Sequence, residues 1–222
     1  MNPTPETVKE LLDSENFGER IKGINQLRSL EPQIAFTLVK PLITDENARI
    51  RYAAVSQLDP LGRQDLSATL NILRDRLYND TEFDVQAVAA DVIGGLQLTE
   101  AFDDLKQMYY RTGEWLIQIS IVATLGEFGD IRGLEILKSA INSDNSLVKT
   151  AAVSAIGELG APGSIELLLP LVTDEDWQIR YRLTQALGHL GGEAAKVALK
   201  KLAADPLEQV AKEAQNNLQR LS

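Results

Sequence analysis

VKTAAVSAIGELG at residues 148–160 and IRYRLTQALGHLG at residues 179–191 decide how this chain folds. Each stretch opens on a β-branched apolar residue and then carries small or aliphatic side chains at helical spacing. Glycine closes both. The pattern continues outward: IRYAAVSQL begins at Ile50, VQAVAADVIG at Val85, IQISIVATLG at Ile117, and a fainter VAKEAQNNL at Val210. Successive anchors are 35, 32, 31, 31 and 31 residues apart. Such a period marks a repeat protein, in which each unit packs mainly on its neighbours.

Take each anchor as position zero. Apolar or small residues are expected at 0, +3, +4, +7 and +8, a wide helical stripe. In one unit these are Ile50, Ala53, Ala54, Gln57 and Leu58; in another, Ile179, Arg182, Leu183, Ala186 and Leu187. Gln57 and Arg182 break the apolar rule. Asp45, Asp80, Asp174 and Asp205 stand five places before an anchor, with Asp144 one place nearer, and read as helix caps. Arg51, Lys149 and Arg180 stand one place after, where Gln86 and Gln118 replace the cation. This spacing predicts a ladder of Asp–Arg contacts along the stack, with ligand binding as the alternative. Gly94, Gly126, Gly157 and Gly188 at +9 suit a left-handed turn or a close helix contact. They follow helices, so they are not phosphate loops.

Partner helices are expected near residues 32–43, 66–78, 100–110, 133–141, 164–172 and 194–203, with a degenerate first pair over residues 4–30. Thr4, Pro5 and Glu6 form a helix start. The anchored second helices should begin near residues 20, 50, 85, 117, 148, 179 and 210, within one domain over residues 1–222.

Composition narrows the function. The net charge of −10 disfavours nucleic acid, which needs a basic face. With no cysteine, disulfides, thiol catalysis and cysteine-ligated metals are excluded. One histidine is too few for a diiron site built from His–Glu pairs. No nucleophile elbow, phosphate loop or identifiable catalytic carboxylate pair is present. There is no apolar run of membrane-spanning length, and the opening MNPTPETVKELL lacks the features of a secretory signal, so a cytoplasmic protein without membrane insertion is expected.

The repeats at residues 148–160 and 179–191 resemble the short HEAT-like repeat of phycobilisome lyases. TPETVKELL at residues 4–12, ENFGERIKGINQL at 15–27 and ITDENARIRYAAVSQL at 43–58 look closest to the phycobilisome degradation proteins of that family, relatives of the E/F-type bilin lyases. The resemblance implies an all-α fold, a right-handed α-solenoid of about seven HEAT-like helix pairs. It also implies action on chromophorylated phycobiliproteins (phycocyanin or allophycocyanin subunits), with other degradation factors as further partners, at phycobilisomes on the thylakoid surface. Detachment of phycocyanobilin would be the activity, with the bilin as ligand and no cofactor bound permanently. A non-catalytic adaptor for a phycobiliprotein or protease is the alternative.

The anchored helices should line a groove through positions −2, +2 and +6. Phe83, Trp115 and Trp177 stand at −2, and Tyr52, Ile119 and Tyr181 at +2. Their flat or apolar faces suit a linear tetrapyrrole; helix-entry packing is the plain alternative. Arg51, Arg180 and Arg182 are candidates for its propionates, because guanidinium takes carboxylate bidentately. Asp91 is the candidate catalytic acid, on a helix of small residues, with a solvated surface carboxylate as the alternative. His189, in a turn, is a candidate proton donor or simply exposed.

Overall fold

The structure is a computed structural model that describes residues 3–221. Those residues form helices and connecting turns, with no strand among them. The chain divides into two compact units, on either side of Met108 and Tyr109.

The first unit contains α1 (Pro5–Leu12), α2 (Phe17–Gln26), α3 (Pro32–Val39), α4 (Ala48–Ser56), α5 (Leu58–Leu61), α6 (Leu66–Asn79) and α7 (Phe83–Gly95). The division falls inside α8 (Phe102–Arg111). The second unit contains α9 (Trp115–Phe128), α10 (Leu134–Ala140), α11 (Ser146–Leu159), α12 (Ser164–Leu168), α13 (Trp177–Leu190), α14 (Gly192–Leu202) and α15 (Glu208–Arg220). Helices α2, α4, α7, α9, α11, α13 and α15 are the anchored ones. From α4 onward each begins two residues before its anchor.

Proline shapes two of the first helices. Pro41 and Pro170 each sit in a PL(I/V)TD stretch, and the α-helix there tightens into a 3-10 turn, Lys40–Thr44 and Leu169–Thr173. Proline lacks the N–H that an α-turn needs. The spacing of 35 between Ile50 and Val85 exceeds the 31-residue period by four. Leu58–Leu61, α5, fills the place of the last turn that α9, α11 and α13 carry unbroken, so the extra residues lie beyond it and before α7, where α6 runs for 14 residues.

Burial corrects the expected stripe. Positions 0, +4 and +8 are buried, as in Ile117, Ile121 and Leu125 or Ile179, Leu183 and Leu187. Position +5 is buried too, through Val55, Ala90, Val122, Val153 and Thr184. Position +3 is often outside the core: Ala53 and Ala151 are half-buried, and Arg182 is exposed. Arg182 therefore breaks no packing rule, because its position faces outward. A helix held between two neighbours and its own partner buries a wider arc than a surface helix does.

The capping expectation also changes. The residue five places before the anchor is not the N-cap. Asp45, Asp80, Asp174 and Asp205 each accept the backbone N–H two residues on, at 2.8–3.0 Å. That is an Asx turn leading into the helix. The N-cap lies three places before the anchor, where Asn47, Asn145 and Asp176 cap with their side chains.

The +9 glycines of the second unit serve contact rather than turning. A Cβ built on Gly126 would lie 2.8 Å from the Ala155 Cα, and one on Gly157 would lie 2.7 Å from the Ala186 Cβ. Gly188 meets Asn217 in the same register. Each contact joins residues 29 apart in sequence, so α9, α11, α13 and α15 lie side by side, parallel and in step. The left-handed turns fall instead on Gly129 and Gly160, just past α9 and α11.

Candidate functional site

The predicted ladder is present within each unit, and it uses the fourth residue of the anchored helix. Arg20 pairs with Asp45. Arg51 grips Asp80 through two nitrogens, Nε at 2.8 Å and Nη2 at 2.7 Å. Lys149 pairs with Asp174 at 2.5 Å, and Arg180 holds Asp205 at 2.6 and 3.1 Å. Arg51 and Arg180 also donate to backbone carbonyls of the turn before their own helix, Asp45 and Glu46, and Asp174 and Glu175. Gln86 and Gln118 bond only back to such a carbonyl, that of Asp80 and Thr112. The positions that would answer them in the next repeat are Thr112 and Ser143, which carry no charge.

Asp80 is the most enclosed member. Its side chain is fully buried and accepts from Arg51, from Arg76 Nη1 at 3.0 Å and from the Glu82 N–H. Burial works to raise its pKa; the hydrogen bonds from Arg51 and Glu82 and the charges of Arg51 and Arg76 outweigh it, so the carboxyl lies below the usual range. The Arg180 hydrogen bonds hold Asp205 low as well. Arg51 and Arg180 are raised mainly by their carboxylate partners. Both arginines thus have their guanidinium donors engaged inside the protein.

Two recesses gather other candidate residues. In the first unit, a cleft of about 480 Å³ is lined by Ala48, Arg49, Tyr52, Glu82, Asp84 and Val85. Tyr52 is 46% exposed, and Arg49 lies three residues before it on the same helical face. Phe83, 49% exposed, stands at the first residue of α7 between two lining acids. Arg49 is absent from the sequence-derived set; its spacing from Tyr52 is the signal that would have found it. Asp91 is exposed, two turns further along α7 from Asp84.

In the second unit, a notch of about 160 Å³ lies between α11 and α13, lined by Ser154, Gly157, Glu158, Arg182, Gln185, Ala186 and His189. Arg182 Nη1 donates to Gln185 Oε1 at 2.9 Å, which holds the guanidinium at the notch. Arg182 and His189 are brought together here, and His189 lies in the last turn of α13, not in a turn after it as its flanking glycines suggested. Trp115 and Trp177 are the first residues of α9 and α13 and are 43% and 40% exposed. Ile119 and Tyr181 are half-buried on those same helices. Among the described residues, no group of His, Asp and Glu is placed to hold a metal ion, and no helix is long and apolar enough to cross a membrane.

Comparison with known proteins adds a family and a set of folds. A family model described as HEAT repeats matches residues 70–157 and 134–219. Comparison with curated protein sequences finds no match. Among solved structures, the chain is similar to one from the complex of CpcE and CpcF of phycocyanin lyase from Nostoc sp. PCC7120. That match has a TM-score of 0.64 and 20% identity, over 100% of this chain and 96% of the other. The Escherichia coli protein YibA also has a TM-score of 0.64, at 16% identity, over 98% and 93% of the two chains. A designed armadillo repeat protein follows at 0.52 and 18%, over 99% and 100%. At these identities the likeness is one of fold.

Proposed function

This chain belongs to the HEAT-repeat family, and on that premise we propose that it is a bilin-directed protein acting on chromophorylated phycobiliproteins and helping to detach phycocyanobilin during antenna breakdown. The cleft around Tyr52 carries the reading. Its volume of about 480 Å³ falls within the range of small-molecule sites, roughly 300–1,000 Å³. Its chemistry matches a linear tetrapyrrole with pyrrole N–H groups and two propionates. Tyr52 offers a flat face, Arg49 a cation for a propionate, and Glu82 and Asp84 acceptors for N–H groups. The fold shared with a phycocyanin lyase chain supports the substrate class, and the opening stretches similar to the phycobilisome degradation protein NblB support the direction of the reaction.

Detachment by elimination passes a proton from the carbon beside the thioether carbon to a base; that C–H electron pair becomes a C=C bond as the C–S bond breaks and its electron pair leaves with the cysteine sulfur. Asp91 is the candidate base in the first unit. The notch at Arg182 and His189 is too small for the whole bilin and fits one carboxylate-sized group.

Titrating the purified protein with free phycocyanobilin, followed by the bilin's visible absorption, tests the assignment. The Arg49→Ala/Tyr52→Ala variant should bind about tenfold more weakly or worse. Unchanged affinity in that variant removes the cleft from the account. A non-catalytic adaptor is the second reading, favoured by the exposed apolar side chains at the helix starts.

A further inference from the structure

The second unit carries a row that bilin chemistry leaves unused. Trp115, Leu147, Trp177 and Leu207 come from four successive repeats. Each sits at the N-terminal end of its anchored helix, and each is between 37% and 49% exposed. Because α9, α11, α13 and α15 are parallel and in step, these side chains fall at the same end of four adjacent helices. The tryptophans stand two places before their anchors, Leu147 one place and Leu207, the N-cap of α15, three. What recurs in four consecutive units is therefore an exposed apolar side chain at this helix end, which sets the row apart from isolated surface apolar residues.

The row is also charged with one sign. Glu114, Asp144, Glu175, Asp176 and Glu208 lie within three residues of its members. Among the described residues no salt bridge engages any of them. The two cations set on the same helix ends, Lys149 and Arg180, are consumed by Asp174 and Asp205. Arg111, at the end of α8, and Lys201, in a recess with Asp205 and Pro206, bring positive charge near the row.

Spacing selects the shape of the occupant. Packed helices lie about 8–10 Å apart. An extended chain advances about 3.3 Å per residue, so three residues cover one helix-to-helix step. A polyproline-type chain, with 3 residues per turn and about 3.1 Å rise, presents the same face at that interval. We propose that this edge docks an extended basic segment of a partner protein, carrying an apolar residue at every third position and Lys or Arg between. Four apolar contacts then need about ten residues. The apolar side chains would seat against the Trp and Leu row, and the cations would meet the unpaired acids. This inference is independent of the bilin reading.

The probe is a fluorescein-labelled peptide, Leu-Lys-Arg-Leu-Lys-Arg-Leu-Lys-Arg-Leu, and its control has the same composition with the four leucines contiguous. Binding is read by anisotropy without bilin. The patterned peptide should bind at least about tenfold tighter than the control. Trp115→Ser/Trp177→Ser should abolish that difference. Glu175→Lys/Glu208→Lys changes only exposed residues and should weaken the patterned peptide by about tenfold. Equal binding of both peptides overturns the proposal, since charge alone would then explain it. Full affinity in both variants overturns it too. So does a wild-type dimer that the tryptophan variant turns into a monomer on a sizing column, because a second copy would then be the occupant.

Discussion

Replacing Asp80 by alanine should be among the most damaging single changes outside the apolar core. Its carboxylate has no solvent exposure and takes two hydrogen bonds from Arg51, one from Arg76 and one from the Glu82 backbone. Removing it strands the Arg51 guanidinium, whose side chain is only 11% exposed. Breaking a buried pair from one side costs about 3–5 kcal/mol, because the remaining charge is left uncompensated. Arg51 keeps its bonds to the Asp45 and Glu46 carbonyls, which places the expected loss near the lower end, about 3 kcal/mol. For a chain of this length that is a fall in Tm of about 6–12 °C. Asp80→Asn preserves the Asx turn while losing the charge, so it should lose about 1.5–3 kcal/mol. Urea unfolding followed by circular dichroism measures both. If Asp80→Ala loses less than about 1 kcal/mol, the ladder contributes no more than an ordinary surface pair and the reasoning fails.

Acid should erode the same contacts. Asp80 and Asp205 lie below the usual carboxylate range when folded, so the unfolded chain binds more protons at low pH. Their contribution is complete above the unfolded pKa of about 3.9 and is lost as pH falls through the folded values. Melting curves from pH 7 to pH 3 should be flat near neutrality and drop below about pH 4, with a smaller drop in Asp80→Asn/Asp205→Asn; equal drops would contradict this. Gly157→Ala places a Cβ 2.7 Å from the Ala186 Cβ and should destabilise by about 1–2 kcal/mol by urea unfolding, overpacking exceeding the gain in helix propensity. Gly113→Ala, with nothing within 4 Å of the added carbon, should be neutral within about 0.5 kcal/mol in the same measurement. Asp91→Asn should leave phycocyanobilin affinity within about twofold while slowing any release of bilin from phycocyanin by tenfold or more, read by bilin absorption.

The helix order was legible because the repeat writes it several times over. Anchors such as Ile117 and Val148 fixed the second helices, and Asp80 and Arg51 could be paired from spacing alone. What stayed hidden depends on how a helix is rotated between neighbours. Periodicity treats +3 and +5 alike, so Arg182 read as a breach of the core, and Val55, Val122 and Val153 were not assigned to it. The extra residues between Ile50 and Val85 were visible as a lengthened interval, but the break between α4 and α5 was not, because periodicity does not show where a helix is interrupted. For the candidate site, Tyr52 was found by type and position. Arg49 was missed because the search followed repeat positions, whereas the cleft is made by an i, i+3 pair of one helix facing the start of the next. The commitment of Arg51 and Arg180 to carboxylates followed from the ladder spacing, which competed with their assignment to propionates.

The central claim is tested most directly by adding the protein to holo-phycocyanin, recording visible absorption and fluorescence, and separating released from bound bilin on a denaturing gel. The account predicts loss of bilin from phycocyanin, or its transfer to this chain, with the effect diminished in Arg49→Ala/Tyr52→Ala. An unchanged spectrum and gel, with a stable complex on a sizing column, would contradict it and make the protein an adaptor.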